Sequence, residues 1–190
     1  MRPRGAPDAA SATVSRAVTG ATSTLASMTD DVERTEDGHH IVVNGRRWRA
    51  SDTAIPEKLR AELVSELMRA RREVGRRGDE ARHCVQDAKV ALGERGEPWW
   101  EEASDEGRRA RLAATIRTLL RHRDGTTICP SDAARVVGGD RWRDVVPVAR
   151  EVAHHLVGQG EVVVQQKGET VDVREARGPV RIAPGPELHR

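Results

Sequence analysis

The amino-acid sequence predicts an α+β protein that is mainly α: a β-hairpin and a helical hairpin, followed by a winged helix-turn-helix. Three observations carry this expectation. Asn44-Gly45 stands between two short strand-like runs, the spacing of a two-residue type I′ turn whose central positions both need φ > 0. Apolar residues recur at helical spacing in five later stretches. From Thr126 to Gly168 the order is short helix, turn, longer helix and strand, which becomes a winged helix when the helix before it and the strand after it are added.

Residues 1–37 are rich in Ala, Ser, Thr and Asp without periodicity, and predict a disordered tail. The change from RPRGAPDAASATVSRAVTGATSTLAS to the acidic leader at Met28 gives the expectation that translation starts at Met28, with residues 1–27 an upstream extension. In the hairpin that follows, Ile41 should face Trp48 and Val43 should face Arg46 on an apolar side, with His40, Val42, Arg47 and Arg49 on the other. A two-stranded ribbon is marginal alone, so the apolar side should be covered. Pro56 suits a first helical turn, and Leu59, Leu63, Leu67, Ala70 and Val74 form a stripe that ends at Gly75 and Gly78. A second helix from about Asp79 to Leu92 buries Ala81, Cys84, Val85, Ala88, Ala91 and Leu92, stopped by Gly93 and Gly96. Residues 38–100 thus read as a ββαα module.

Residues 101–107 read as a linker. Trp99 and Trp100 just before it are too apolar to stay free: docking on the helical pair is the favoured expectation, a partner anchor the other. Residues 108–183 read as the winged-helix domain. A helix over Glu106–Arg123 carries Leu112, Ile116, Leu119 and Leu120, and Asp124-Gly125 ends it. Pro130 opens a short helix that stops at Gly138-Gly139. Asp140 is placed to cap the long helix, in which Pro147 removes a backbone donor and predicts a kink or a split. A strand over Glu161–Gln166, a Lys167-Gly168 turn and a strand near Val180–Ala183 make the wing, and residues 184–190 should fray.

Composition limits function. With no Phe or Tyr, the four Trp residues serve first as core or docking anchors. Two cysteines, Cys84 and Cys129, without metal-ligand spacing fit a reduced cytoplasmic protein. No apolar run approaches the roughly 18 residues that span a bilayer, so no membrane partner is expected. There is no phosphate-cradling Gly loop and no nucleophile elbow; Ser131 is the nearest nucleophile candidate but is better explained as part of a helix start. A non-enzymatic protein without metal, cofactor or small-molecule substrate is therefore expected. His39-His40 and His154-His155 are adjacent in sequence, so their rings diverge, and no carboxylate or Cys at ligand spacing completes a site.

Residues TICPSDAARVVGGDRWRDVVPVAREVAHHLVGQGEVVVQQKGETVDVREARGPVRI resemble the bacterial domain of unknown function 3253 family: an ICPS-type helix start, a Trp opening the long helix, a strand ending in QKG-x-x-VD and a closing RGP strand. The resemblance covers about residues 108–183 and implies a small winged-helix-like domain. The first module, GHHIVVNGRRWRASDTAIPEKLRAELVSELMRARREV with VQDAKVALGERGEPWW, is similar to short actinobacterial proteins labelled Tol biopolymer transporters. Neither resemblance implies an activity or catalytic residues.

Were the second domain to bind double-stranded DNA, the long helix would enter the major groove with its amino end, presenting Arg141, Arg143 and Asp144, the wing would bring Lys167, Arg174 and Arg177 to phosphates, and Arg150 is a further candidate contact. Charge weighs against this: from Ser104 to Arg190, 15 Arg or Lys stand against 12 Asp or Glu, whereas phosphate binders concentrate a basic excess. The first module has 13 basic against 10 acidic residues from Gly38 to Trp100, and its cluster Arg69, Arg71, Arg72, Arg76 and Arg77 is explained equally by the helix dipole. Two expectations follow: a DNA-binding or regulatory winged-helix protein, or a module that docks on itself or another protein without nucleic acid.

Overall fold

A computed structural model describes residues 33–188; the expectations for the tail before residue 33, including a start at Met28, and for residues 189–190 lie outside the described residues. Asn44 and Gly45 take φ of 52° and 72°, the left-handed pair a type I′ turn requires. The hairpin forms in the expected register: β1 (His40–Val43) and β2 (Arg46–Arg49) pair antiparallel, Ile41 opposite Trp48 and Val43 opposite Arg46. Glu33–Asp37, grouped with the tail by composition, in fact belong to the fold. Arg34 bridges Ile41, the Val42 N–H donates to the Glu33 carbonyl (2.8 Å), and the Asp37 carboxylate accepts from the Thr35 hydroxyl and the His39 N–H. Polar side chains close this turn, so apolar periodicity could not signal it.

Helix α1 (Glu57–Arg77) runs through Gly75 and stops at Gly78, whose φ is 66°. A 3-10 turn leads into α2 (Arg82–Ala91). Helix α3 (Asp105–His122) starts where the Ser104 hydroxyl accepts from the Gly107 N–H, and Glu97 in turn accepts from the Ser104 N–H (2.8 Å) and hydroxyl (2.6 Å). Helix α4 (Pro130–Gly138) opens on Cys129, with the Asp132 carboxylate accepting from the Cys129 N–H. Helix α5 spans Trp142–Gly158 without a break, so Pro147 does not split it. Pro147 is exposed, and the carbonyl that loses its donor there can turn to water. Nor does Asp140 cap α5: it lies in a 3-10 turn over Gly139–Arg141, and α5 starts with no side-chain cap.

Strands β3 (Val162–Gln166), β4 (Glu169–Thr170) and β5 (Arg181–Pro184) form an antiparallel sheet in the order β4-β3-β5, and Ile128 bridges Ile182 beyond β5. The turn between β3 and β4 places Lys167 and Gly168 at φ of 53° and 90°.

One hydrophobic cluster runs from Leu63, Leu67 and Leu92 through Leu112, Ile116 and Leu120 to Ile128, Leu156 and Ile182. Residues 101–107 therefore join two halves whose cores merge, and the described residues 33–188 lie in one unit. Ion pairs cross the same boundary: Arg111 with Asp52 (2.8 Å), Arg121 with Asp87 (2.6 Å), and Arg123 with Glu62 (2.7 Å), while Arg123 also holds Asp132 (2.9 Å) within the second half. The expected fraying of residues 184–190 does not hold over 184–188: Pro184 ends β5, the Gly185 and Glu187 N–H groups donate to the Glu161 and Gly160 carbonyls, and Leu188 is fully buried with its carbonyl accepting from buried Arg121.

Candidate interaction surfaces

The amino end of α5 presents Arg141 and Arg143, both exposed, interleaved with exposed Asp140 and Asp144. Trp142 lies beneath two guanidinium groups, Arg135 at 4.3 Å and Arg143 at 4.5 Å from its ring centre. On the β3–β5 side, Lys167, Arg174 and Arg177 are exposed, as are Glu169, Asp172 and Glu175. Arg150 does not belong to this surface. Its guanidinium donates to the carbonyls of Val173 (2.9 Å), Ala176 (2.6 Å) and Gly178 (3.2 Å), which fastens the long loop before β5 onto α5. Of the six residues expected at DNA, five are thus displayed and one is spent inside the fold. In the groove bordered by α3, α5 and this loop, about 1450 Å³, Arg109 pairs with Glu151 (2.7 Å), Arg117 pairs with Glu161 (2.8 Å), and His154 lies 3.8 Å from Asp172, while Glu106 and Arg174 line it without an ion-pair partner among the described residues.

Trp99 and Trp100 dock, with their polar and aromatic contacts on the hairpin side and Trp99 also packed against Gly93 just past the end of α2. The Trp99 indole N–H donates to the Ala50 carbonyl (2.9 Å), Trp100 stacks parallel on His39 with ring centres 4.1 Å apart, and Arg49 lies 5.5 Å from the Trp100 ring. These contacts explain why two adjacent tryptophans end a polar stretch. His39 and His40 serve this aromatic group, a role invisible in their spacing.

The apolar side of the hairpin, expected to be covered, is open. Val43 and Trp48 keep 42% and 43% of their surface exposed, because the ribbon stands off α1 and leaves a groove of about 840 Å³ between them. Ile41, Val64, Leu67 and Met68 line it, and Met68 is itself 41% exposed. Arg46 and Lys89 lie 5.2 Å and 5.7 Å from the Trp48 ring centre. Burial pushes the Lys89 ammonium below its ordinary pKa, an effect that Glu94 at 3.8 Å opposes. Sequence spacing placed Trp48 on the correct face; it could not show that α1 leaves that face uncovered.

Neither Cys84 nor Ser131 is primed as a nucleophile. Cys84 Sγ sits 3.2 Å from His83 Nε2, but burial pushes the thiol above its ordinary pKa, away from thiolate. Ser131 lies within the first turn of α4. Among the described residues no group of three or more His, Cys, Asp or Glu is placed to hold a metal, and no helix is long and apolar enough to cross a membrane.

These features define a helix-rich α+β protein whose C-terminal elements, α3 to β5, close on a small antiparallel sheet. Residues 109–184 match the family described as "Protein of unknown function (DUF3253)", so that stretch carries this family's domain, as its ICPS, Trp142 and QKG residues implied. The match leaves the hairpin, α1 and α2 outside it. No curated protein matches the chain.

Proposed function

We propose that this is a non-enzymatic cytoplasmic docking protein, whose C-terminal block is a winged helix used for protein contact rather than for reading DNA. The order α3, bridge at Ile128, α4, α5, β3, β5 agrees with a winged helix, and the fold alone leaves both uses open. The observation that carries the choice is the charge on the face that would meet DNA. Arg141, Arg143, Lys167, Arg174 and Arg177 are offset by Asp140, Asp144, Glu169, Asp172 and Glu175, all exposed, and Arg150 is turned into the fold. A duplex offers a dense array of negative phosphates, so a neutral face gains little from counterion release.

Double-stranded DNA is the second reading, favoured by one specific observation: none of those five cations has a carboxylate within ion-pair distance among the described residues. Anisotropy of a labelled duplex at low salt separates the two. The docking reading expects weak binding that Arg141→Ala/Arg143→Ala leaves unchanged. A signal that falls steeply with salt and collapses in that double variant would overturn it in favour of DNA.

A further inference from the structure

We infer that the groove between the hairpin and α1 binds an acidic segment of another protein that inserts an aromatic or aliphatic anchor beside Trp48. The inference rests on the docking reading for the class of partner, but it concerns a surface outside the C-terminal domain. Four large hydrophobic side chains are exposed among the described residues, and three of them, Val43, Trp48 and Met68, converge here from β1, β2 and α1. The fourth, Val157, stands on α5. Apolar side chains scattered singly need no explanation, whereas a concentration around one concavity marks a contact site. At about 840 Å³, the groove has room for one or two large side chains. Met68 gives it a flexible, polarizable wall, and an exposed Trp is the residue type most often found at the energetic centre of an interface.

Charge selects the sign of the partner. Arg60 is matched by Glu57 (2.5 Å) and Lys89 by Glu94 (3.8 Å). Arg34, Arg46 and Arg71, which also line the groove, have no carboxylate within ion-pair distance among the described residues; Arg71 touches only the Met68 sulfur, at 3.8 Å. The cavity beside Trp99 and Trp100 has the opposite balance, with four arginines against seven carboxylates along its lining. The cationic surplus of the hairpin groove is therefore not shared by every cavity of this Arg-rich chain. Unmatched guanidinium groups around an apolar floor complement carboxylates flanking an apolar anchor. A single-stranded nucleic acid fits less well: its bases need a run of aromatic platforms, and here one exposed ring already has Arg46 and Lys89 beside it, above an aliphatic floor.

The test uses the full chain and a short fluorescein-labelled peptide of alternating glutamate and leucine around one tryptophan, read by anisotropy. A glutamine version of the peptide and a labelled oligothymidylate serve as comparison probes. The glutamate peptide should bind at least about tenfold tighter than the glutamine peptide, and Trp48→Ala and Arg46→Glu/Arg71→Glu should each weaken it by at least about tenfold. Val157→Ala should leave it unchanged. Far-UV circular dichroism melts establish that the variants, all at exposed positions, remain folded. Absence of peptide binding, equal binding of both peptides, or indifference to the groove variants overturns the proposal. So does oligothymidylate binding that the same variants abolish, which would assign the groove to nucleic acid. Failure here leaves the neutral face of α5 as it stands, and failure of the duplex experiment leaves this groove as it stands.

Discussion

Replacing Arg121 by methionine should lower stability by about 3 to 4 kcal/mol. Arg121 is 5% exposed. Its Nη1 donates to Asp87 Oδ2 at 2.6 Å, and its Nε and Nη2 donate to the Leu188 carbonyl at 3.3 Å and 3.1 Å, so one side chain ties α3 to α2 and to the end of the fold. Methionine keeps the apolar stem and its packing, so the loss is that of the charged head. Removing one partner of a buried pair costs about 3 to 5 kcal/mol, because the other is left without compensation. Asp87 retains Arg117 at 3.9 Å and is 15% exposed, which places the carboxylate's share at the low end. The Leu188 carbonyl, stripped of both donors, adds about 1 kcal/mol. At about 2 to 4 °C per kcal/mol for a chain of this size, the melting temperature should fall by roughly 6 to 16 °C. Urea denaturation followed by far-UV circular dichroism measures the difference, and a cycle with Asp87→Asn should return a coupling of about 2 kcal/mol. A loss below about 1 kcal/mol, or two separate transitions in the parent protein, would refute both the magnitude and the single merged core from which it is worked.

Arg150→Ala should cost about 2 kcal/mol through its charge-assisted bonds to three carbonyls, with faster amide exchange confined to residues 173–178; unchanged exchange there would return Arg150 to the displayed surface. Gly185→Ala should destabilise by about 1 to 3 kcal/mol, since a Cβ would fall 2.3 Å from the Gly160 carbonyl oxygen, a backbone atom that cannot swing away; thermal melting checks it. The Ser104 hydroxyl and N–H hold the Glu97 carboxyl below the ordinary glutamate range. With the folded pKa depressed, this capping contribution is present at neutral pH and is lost as pH falls through the folded value. Ser104→Ala should move the Glu97 midpoint upward in a carbon-13 NMR titration, and an unmoved midpoint would show that the hydroxyl bond does not set it.

What could be read from the sequence was whatever a residue imposes on its own neighbourhood. Asn44-Gly45 specifies its turn because few other residue pairs accept left-handed φ at both positions, and the register of β1 with β2 follows from it. Helix starts at Pro130 and stops at Gly78 and Gly139 follow from the same local sterics. Coverage is a tertiary property and could not be read in this way. Trp48 lies on the apolar side as its alternation demands, yet whether α1 approaches that side depends on how the ribbon leaves the core. Arg150 and Arg143 are one residue type on one helix, and only the return of the loop at Val173–Gly178 distinguishes a fastening residue from a displayed one. Leu188 ends a stretch dominated by Pro and Gly, and its burial depends on an arginine 67 positions earlier.

The arginine content explains why composition was a poor guide to partners here. Of 32 basic residues, only Lys58, Lys89 and Lys167 are lysines, and the core, lacking Phe and Tyr, is built mainly from aliphatic side chains. Guanidinium groups link the elements around it: Arg111 reaches Asp52, Arg117 reaches Glu161, Arg123 reaches Glu62, Arg150 reaches the loop carbonyls, and Arg181 reaches Thr127. A planar fork with several donors suits this work better than an ammonium does. Net charge therefore sums two populations, one consumed in holding the fold and one left over at the surface, and only the second can recognise anything. Substituting a fastening arginine lowers stability before it can affect a partner, so a loss of binding there is uninformative. Arg34, Arg46 and Arg71 have no such duty, and a loss of binding on reversing their charge reads directly as a lost contact.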